Sequence, residues 1–182
     1  RYALIQVSEQ DVITKVRVIS GQYLANLDTT GTITKKYQAG ILVNAKTHEL
    51  ISKTDTAELL PHLNVNSISL ESVSPVDEPQ SLALLPVQEV FTRLLPLIGC
   101  TFEDPGIDQE RNRGEGLHRL ICKYLGYKQY EDNGQFPDIR HQLLEVKLQT
   151  SPTIDLGLVL PNSNDNLDVQ PLGGYYHPKH RD

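Results

Sequence analysis

The segment Pro137-Asp138-Ile139-Arg140-His141-Gln142-Leu143-Leu144-Glu145-Val146-Lys147-Leu148-Gln149 decides how the chain is read. From Leu143 to Gln149 apolar and polar side chains alternate. A strand turns successive side chains to opposite faces. Leu144, Val146 and Leu148 then look one way, and Leu143, Glu145, Lys147 and Gln149 the other. Glu145 and Lys147 therefore share a face, roughly 6.5 Å apart along the strand. Asp138 precedes Glu145 across an expected turn, where it can fold back toward it. Two carboxylates and one ammonium are expected to meet at one point.

Phosphodiester hydrolysis needs such a set. Mg²⁺ is a hard cation that takes oxygen ligands and keeps several waters. Asp138 and Glu145 can hold it and leave positions open for a phosphate oxygen and a water. Lys147 reads as a cation that orients the water and offsets charge on phosphorus. The plain alternative is that Glu145 and Lys147 form a solvated ion pair on a strand face.

The segment resembles the signature of the PD-(D/E)XK nuclease superfamily: Pro137-Asp138, a short gap, then Glu145-Val146-Lys147. The run from Leu144 to Gly157 resembles a type II restriction endonuclease. The spacing from Asp138 to Lys147 is also similar to that of the mismatch-repair nickase. The resemblance covers about residues 111–160. It implies an α/β fold, a mixed central β-sheet flanked by helices as in restriction endonucleases. It also implies double-stranded DNA as substrate, Mg²⁺ as cofactor and a homodimer on a palindromic site. In many members an acid on a preceding helix joins the site, which makes Glu115 a further candidate. The alternatives are a nickase and an inactive DNA-binding module with the nuclease fold.

Working outward, Leu117, Leu120, Ile121, Tyr124 and Leu125 form one helical stripe, stopped by Gly126. Glu115 is expected in the first turn of that helix, where an acid complements the helix dipole. His118 and Cys122 stand one turn apart, but two ligands do not make a zinc site. Arg140 and His141 lie between the two acids and are candidate DNA contacts, as is Gln149. Arg111 and Arg113 are candidate phosphate contacts near the helix start. His177 and His180, with Lys179 and Arg181, read as a frayed end. Asp132-Asn133-Gly134 is a turn signal.

Val87 to Leu95 reads as a helix ended by Pro96 and Gly99, and Thr101 to Asn112 as a loop. Ser74 to Gln80 reads as a loop or linker. Before it, residues 1–80 read as a β-rich part for DNA recognition or dimer contacts. Its expected strands lie around Val12 to Ile19, Thr32 to Tyr37, Gly40 to Asn44 and Val65 to Leu70. A short helix is expected from Thr56 to Leu60, stopped by Pro61. Residues 81–182 are the expected catalytic core, with a buried strand at Leu156 to Leu160.

Composition sets outer bounds. The 182 residues are 38% hydrophobic and 22% charged, ordinary for a globular chain. No apolar stretch is long enough to span a bilayer, and no leader pattern opens the sequence. With two cysteines, Cys100 and Cys122, no disulfide framework is expected, and a cytoplasmic setting is. The net charge of -6 argues against a protein that coats nucleic acid without specificity. It does not argue against a DNA enzyme, because metal-binding acids add negative charge. The chain opens on Arg1 and holds no Met, which reads as a fragment or as a sequence with residues left out. It contains no Walker loop, no Gly-x-Ser-x-Gly and no Cys-x-x-Cys.

Overall fold

A computed structural model describes residues 1–8, 10–26, 37–40, 48–102, 110–149, 153–157, 163 and 165–173. The central element is β1 (Tyr2–Val7). It pairs antiparallel with β2 (Ile13–Ile19) on one side. On the other it pairs parallel with β5 (Glu145–Gln149), with Tyr2 opposite Glu145 and Leu4 opposite Lys147. The short β4 (Glu49–Leu50) adds parallel to β2, giving the mixed order β4-β2-β1-β5. The sheet thus takes three strands from residues 1–80 and its fourth from residues 81–182. A separate antiparallel pair joins β3 (Tyr37–Gly40) to β6 (Thr153–Gly157).

One face of the sheet carries the main core. Alternation in β1 sends Ala3, Ile5 and Val7 to that face, and β2 adds Ile13, Val16 and Val18. Two helices cover it: α2 (Val87–Leu94) and α3 (Glu110–Leu125). They bury Val87, Val90 and Leu94 from one, and Leu117, Ile121 and Leu125 from the other. Both sets follow helical spacing. Each full burial of such a side chain is worth about 1.5–3 kcal/mol before chain entropy is counted. On the opposite face Tyr2 and Ile19 pack with Leu24 of α1 (Gly21–Asn26).

A third group of apolar side chains, Leu59, Leu63, Leu84, Leu143, Leu167 and Leu172, packs under the loops. Here a buried polar knot stands in for regular structure. The Arg1 guanidinium donates to the backbone oxygens of Leu85 and Gln142 and pairs with Asp55 at 3.4 Å. Asp55 in turn accepts the Val87 N–H at 2.7 Å. Helix α2 begins after Pro86, which offers no side-chain cap, so Asp55 caps it from elsewhere in the chain. The Gln142 amide completes the knot, accepting from Leu85 N–H at 2.7 Å and donating to Ala83 O at 2.9 Å.

Several expectations are corrected. Residues 65–70 form no strand, and Val65 is 87% exposed. Of the apolar residues there only Ile68 and Leu70 have the spacing of one strand face, and among the described residues the segment pairs with no strand. Residues 56–59 turn rather than forming a helix, and Pro61 lies inside a 3-10 turn, Leu60–His62, instead of stopping a helix. A proline fits the first positions of such a turn, where no N–H is needed. Helix α3 starts at Glu110, so Glu115 is past its first turn and the dipole explanation for it falls. Residues 37–40 form a strand where the gap of a hairpin was expected, and its partner is β6. The strand expected at 156–160 runs Thr153–Gly157, with 158–160 outside the described residues. The remainder of the expected strands at 32–37 and 40–44 also lies outside them, as do His177, Lys179, His180 and Arg181. Ser74 to Gln80 is a loop, but a fastened one: Pro75 O accepts the His141 N–H at 3.1 Å. Among the described residues, no helix is long and apolar enough to cross a membrane.

Candidate active site

The site is built on a tight hairpin. Ile139 and Leu144 face each other and exchange two backbone hydrogen bonds, at 2.9 and 3.1 Å. Between them a 3-10 turn, Arg140–Gln142, is closed by Leu143 at φ +51°. A non-glycine residue in that left-handed region costs about 1–2 kcal/mol. Burial of the Leu143 side chain, which is 0% exposed, offsets it. Leu143 therefore belongs to the turn and not to the alternating strand, which begins at Glu145.

The hairpin places Asp138 and Glu145 next to each other just beyond the paired residues. Each carboxylate then accepts a backbone N–H beside the other. Asp138 N–H donates to Glu145 Oε2 at 3.1 Å, and Val146 N–H donates to Asp138 Oδ2 at 2.8 Å. Val146 N–H is available because β5 ends the order of the sheet, with β1 on its other side. The Lys147 ammonium donates to Glu145 Oε1 at 2.5 Å. All three residues of the expected constellation are thus brought together.

The electrostatics follow from burial. Glu145 is 5% exposed, and its carboxyl is pushed up to about 7 by burial, with the Asp138 charge adding and Lys147 opposing. Asp138 is also raised above the usual carboxylate range by burial, against the pull of the Val146 N–H and of Lys147. Two partly dehydrated acids side by side favour sharing a proton over carrying two full charges. A divalent cation is the other way to relieve them. The donor set fits Mg²⁺: two hard carboxylates and no sulfur. Among the described residues, no group of three or more acids, histidines or cysteines is placed to hold an ion. The protein would thus supply two ligands, and waters and substrate oxygens the rest.

Beside the pair lies a cleft of about 180 Å³, lined by Glu115, His118, Asp132, Asp138, Val146 and Leu148 among others. It opens between α3 and the Val146–Leu148 face of β5. Glu145 and Lys147 stand on the other face of that strand, and Asp138, at its edge, is common to both. Glu115 projects from α3 into this cleft and pairs with Arg119 at 3.3 Å. No protein-family model, curated protein or solved structure matches the chain.

The remaining candidates separate clearly. His141 is corrected as a DNA contact: it is 2% exposed and its Nδ1 lies 3.1 Å from the Tyr127 hydroxyl. Arg140 is partly exposed and paired with Glu78 at 3.1 Å. Gln149 lies on β5, and its side chain is outside the described residues, as are those of Arg111 and Arg113.

Two cleft residues, Asp132 and His118, carry no motif in the sequence that points to this place. In the sequence Asp132 reads as a turn former, which it also is, since its Oδ1 accepts the Gly134 N–H at 2.9 Å. His118 stands one turn from Cys122 in the sequence, but that thiol is buried in the main core and pushed up to about 12 by that burial. The available signal was spacing: Glu115 and His118 are three apart, neighbours on one helix face.

Proposed function

We propose that the chain is a Mg²⁺-dependent endonuclease of the restriction type, with a restriction-endonuclease-like core, that hydrolyses phosphodiester bonds of double-stranded DNA. The supporting observation is the reciprocal hold of Asp138 and Glu145 on one hairpin, with the Lys147 ammonium against Glu145. Asp138 and Glu145 would hold the ion. When bound, Mg²⁺ supplies Lewis-acid polarisation of the phosphoryl group and acidifies water. Lys147 places a fixed positive charge where negative charge grows on the phosphoryl oxygens, and that charge needs no reorganisation during reaction. The expected products carry 5′-phosphate and 3′-hydroxyl ends. The working form would be a cytoplasmic homodimer on a palindromic site, because two-fold protein symmetry mirrors that of the DNA.

Incubation of the purified protein with supercoiled plasmid, with and without Mg²⁺, tests the reading. Discrete linear fragments that vanish with EDTA support it. Open circles alone would shift it to a nickase. Absence of any metal-dependent cleavage, with DNA still bound, would leave a binding module. Asp138→Asn and Lys147→Ala should each lower cleavage by at least about 10²-fold, the usual cost of losing one charge-stabilising group. Melting temperature should hold within a few degrees. Full cleavage by either variant removes the site assignment.

A further inference from the structure

We propose that His118, held by Asp132, is the base that takes the proton of the attacking water in the cleft beside Asp138. This rests on the nuclease reading and assigns a role that reading leaves open, because Lys147 is placed there as a positive charge and not as a proton acceptor.

His118 lines the cleft and is 5% exposed. Its Nδ1 lies 3.5 Å from Asp132 Oδ2 and 3.5 Å from the Tyr130 hydroxyl. The Tyr130 ring packs edge-on against the imidazole, centroids 5.3 Å apart. One nitrogen and the ring plane are therefore held. The other nitrogen, Nε2, is buried with no hydrogen-bond partner among the described residues. Buried polar atoms are nearly always satisfied, and exceptions concentrate where a ligand or catalytic step uses them. A neutral ring with its proton on Nδ1 toward Asp132 leaves Nε2 as a lone pair, the form a base needs.

The charges around it suit that form. Asp132 faces His118 from the loop after α3 and Glu115 lines the same cleft from its own helix; both favour the proton, as does the charge of Glu145 acting from the far face of β5. Burial outweighs them and holds the imidazole below its ordinary value, so it is neutral at pH 7. In the step itself the water oxygen bonds to phosphorus and its proton passes to Nε2. The bond from phosphorus to the 3′ oxygen breaks, and that oxygen takes a proton from solvent.

The test is plasmid cleavage with Mg²⁺ from pH 5 to 9 for the wild type and for His118→Gln, His118→Ala and Asp132→Asn. His118→Gln should lower kcat/KM by about 10²-fold or more and lose the acid-side fall in rate. Added imidazole should restore part of the rate to His118→Ala, an effect that mere loss of packing would not give. Asp132→Asn should move the acid-side fall to lower pH, because a charge that favours the imidazolium is gone. Mg²⁺-induced stabilisation should persist in His118→Gln, which separates the proton step from ion binding. An active wild type whose rate and pH profile are unchanged in His118→Gln, or a His118→Ala that imidazole fails to help, overturns the proposal alone. A wild type inactive on DNA under every metal condition overturns the nuclease reading and this proposal with it.

Discussion

At the residue scale, the least ordinary feature is a glutamate kept largely out of water beside an aspartate and under a lysine. Folding raises the Glu145 carboxyl from its ordinary range to about 7. The folded state thus binds this proton more tightly than the unfolded chain does. Linkage then fixes the sign: stability from this group is present below the unfolded value and is lost as pH rises toward 7. Glu145→Gln keeps the shape and removes the charge. It should melt at the wild-type temperature near pH 5 and several degrees higher at pH 8. Metal binding must displace the shared proton, so Mg²⁺ should raise the wild-type melting temperature more at pH 8 than at pH 5.5. Scanning calorimetry at the two pH values checks both. A Mg²⁺ effect independent of pH would contradict the proton-sharing account. Gln142 carries a different kind of burden, since its amide satisfies both Leu85 N–H and Ala83 O in a buried setting. Gln142→Leu should cost about 2–6 kcal/mol by orphaning two backbone groups at about 1–3 kcal/mol each. Denaturant titration reads that loss directly.

At the element scale, α3 is the best marked in the sequence and is found where its stripe places it. Its end is a glycine for a physical reason: Gly126 has φ +106°, and a Cβ there would meet Arg93 Nη1 at 3.4 Å. Arg93 is not free to move, since that same nitrogen donates to Leu125 O at 2.6 Å and Nη2 donates to Ile68 O at 2.9 Å. Gly126→Ala should cost about 1–2 kcal/mol of backbone strain, or roughly 2–8 °C in melting temperature for a chain of this size. Cleavage at 25 °C should be little changed, because the site lies on the hairpin and not at the helix end. The hairpin has no such warning in composition. Its turn is closed by a leucine in a left-handed conformation, which propensity disfavours and burial in the loop-side cluster repays.

At the scale of the whole molecule, β1 is the hub. It is hydrogen-bonded to β2 on one edge and to β5 on the other, and its Ile5 is fully buried under the helices. Ile5→Ala should cost about 2–5 kcal/mol, the usual range for emptying such a position. Because β1 also fixes the strand that carries Glu145 and Lys147, cleavage should fall along the same thermal curve as the near-ultraviolet circular dichroism signal. Loss of activity well below the melting transition would show that the site loosens independently of the sheet. Asp55→Ala belongs to the same scale, since Asp55 ties Arg1 to the start of α2. Breaking such a buried pair costs about 3–5 kcal/mol.

Local order in the sequence was enough for α2, α3, β2 and β5, because each is marked by a period that one element imposes on its own residues. It was also enough to bring Asp138, Glu145 and Lys147 together, since a hairpin of few residues leaves their chain ends little choice. What required the tertiary structure was everything set by partners far along the chain. The strand expected at 65–70 finds no partner among the described residues, and three apolar side chains in six cannot announce that. His141 looks polar and available in the sequence, yet it faces Tyr127 in the interior. Asp132 and His118 become neighbours only because the loop after α3 folds back on that helix. Packing against remote residues, and not the local pattern, decides which polar side chains are buried and which meet at the cleft.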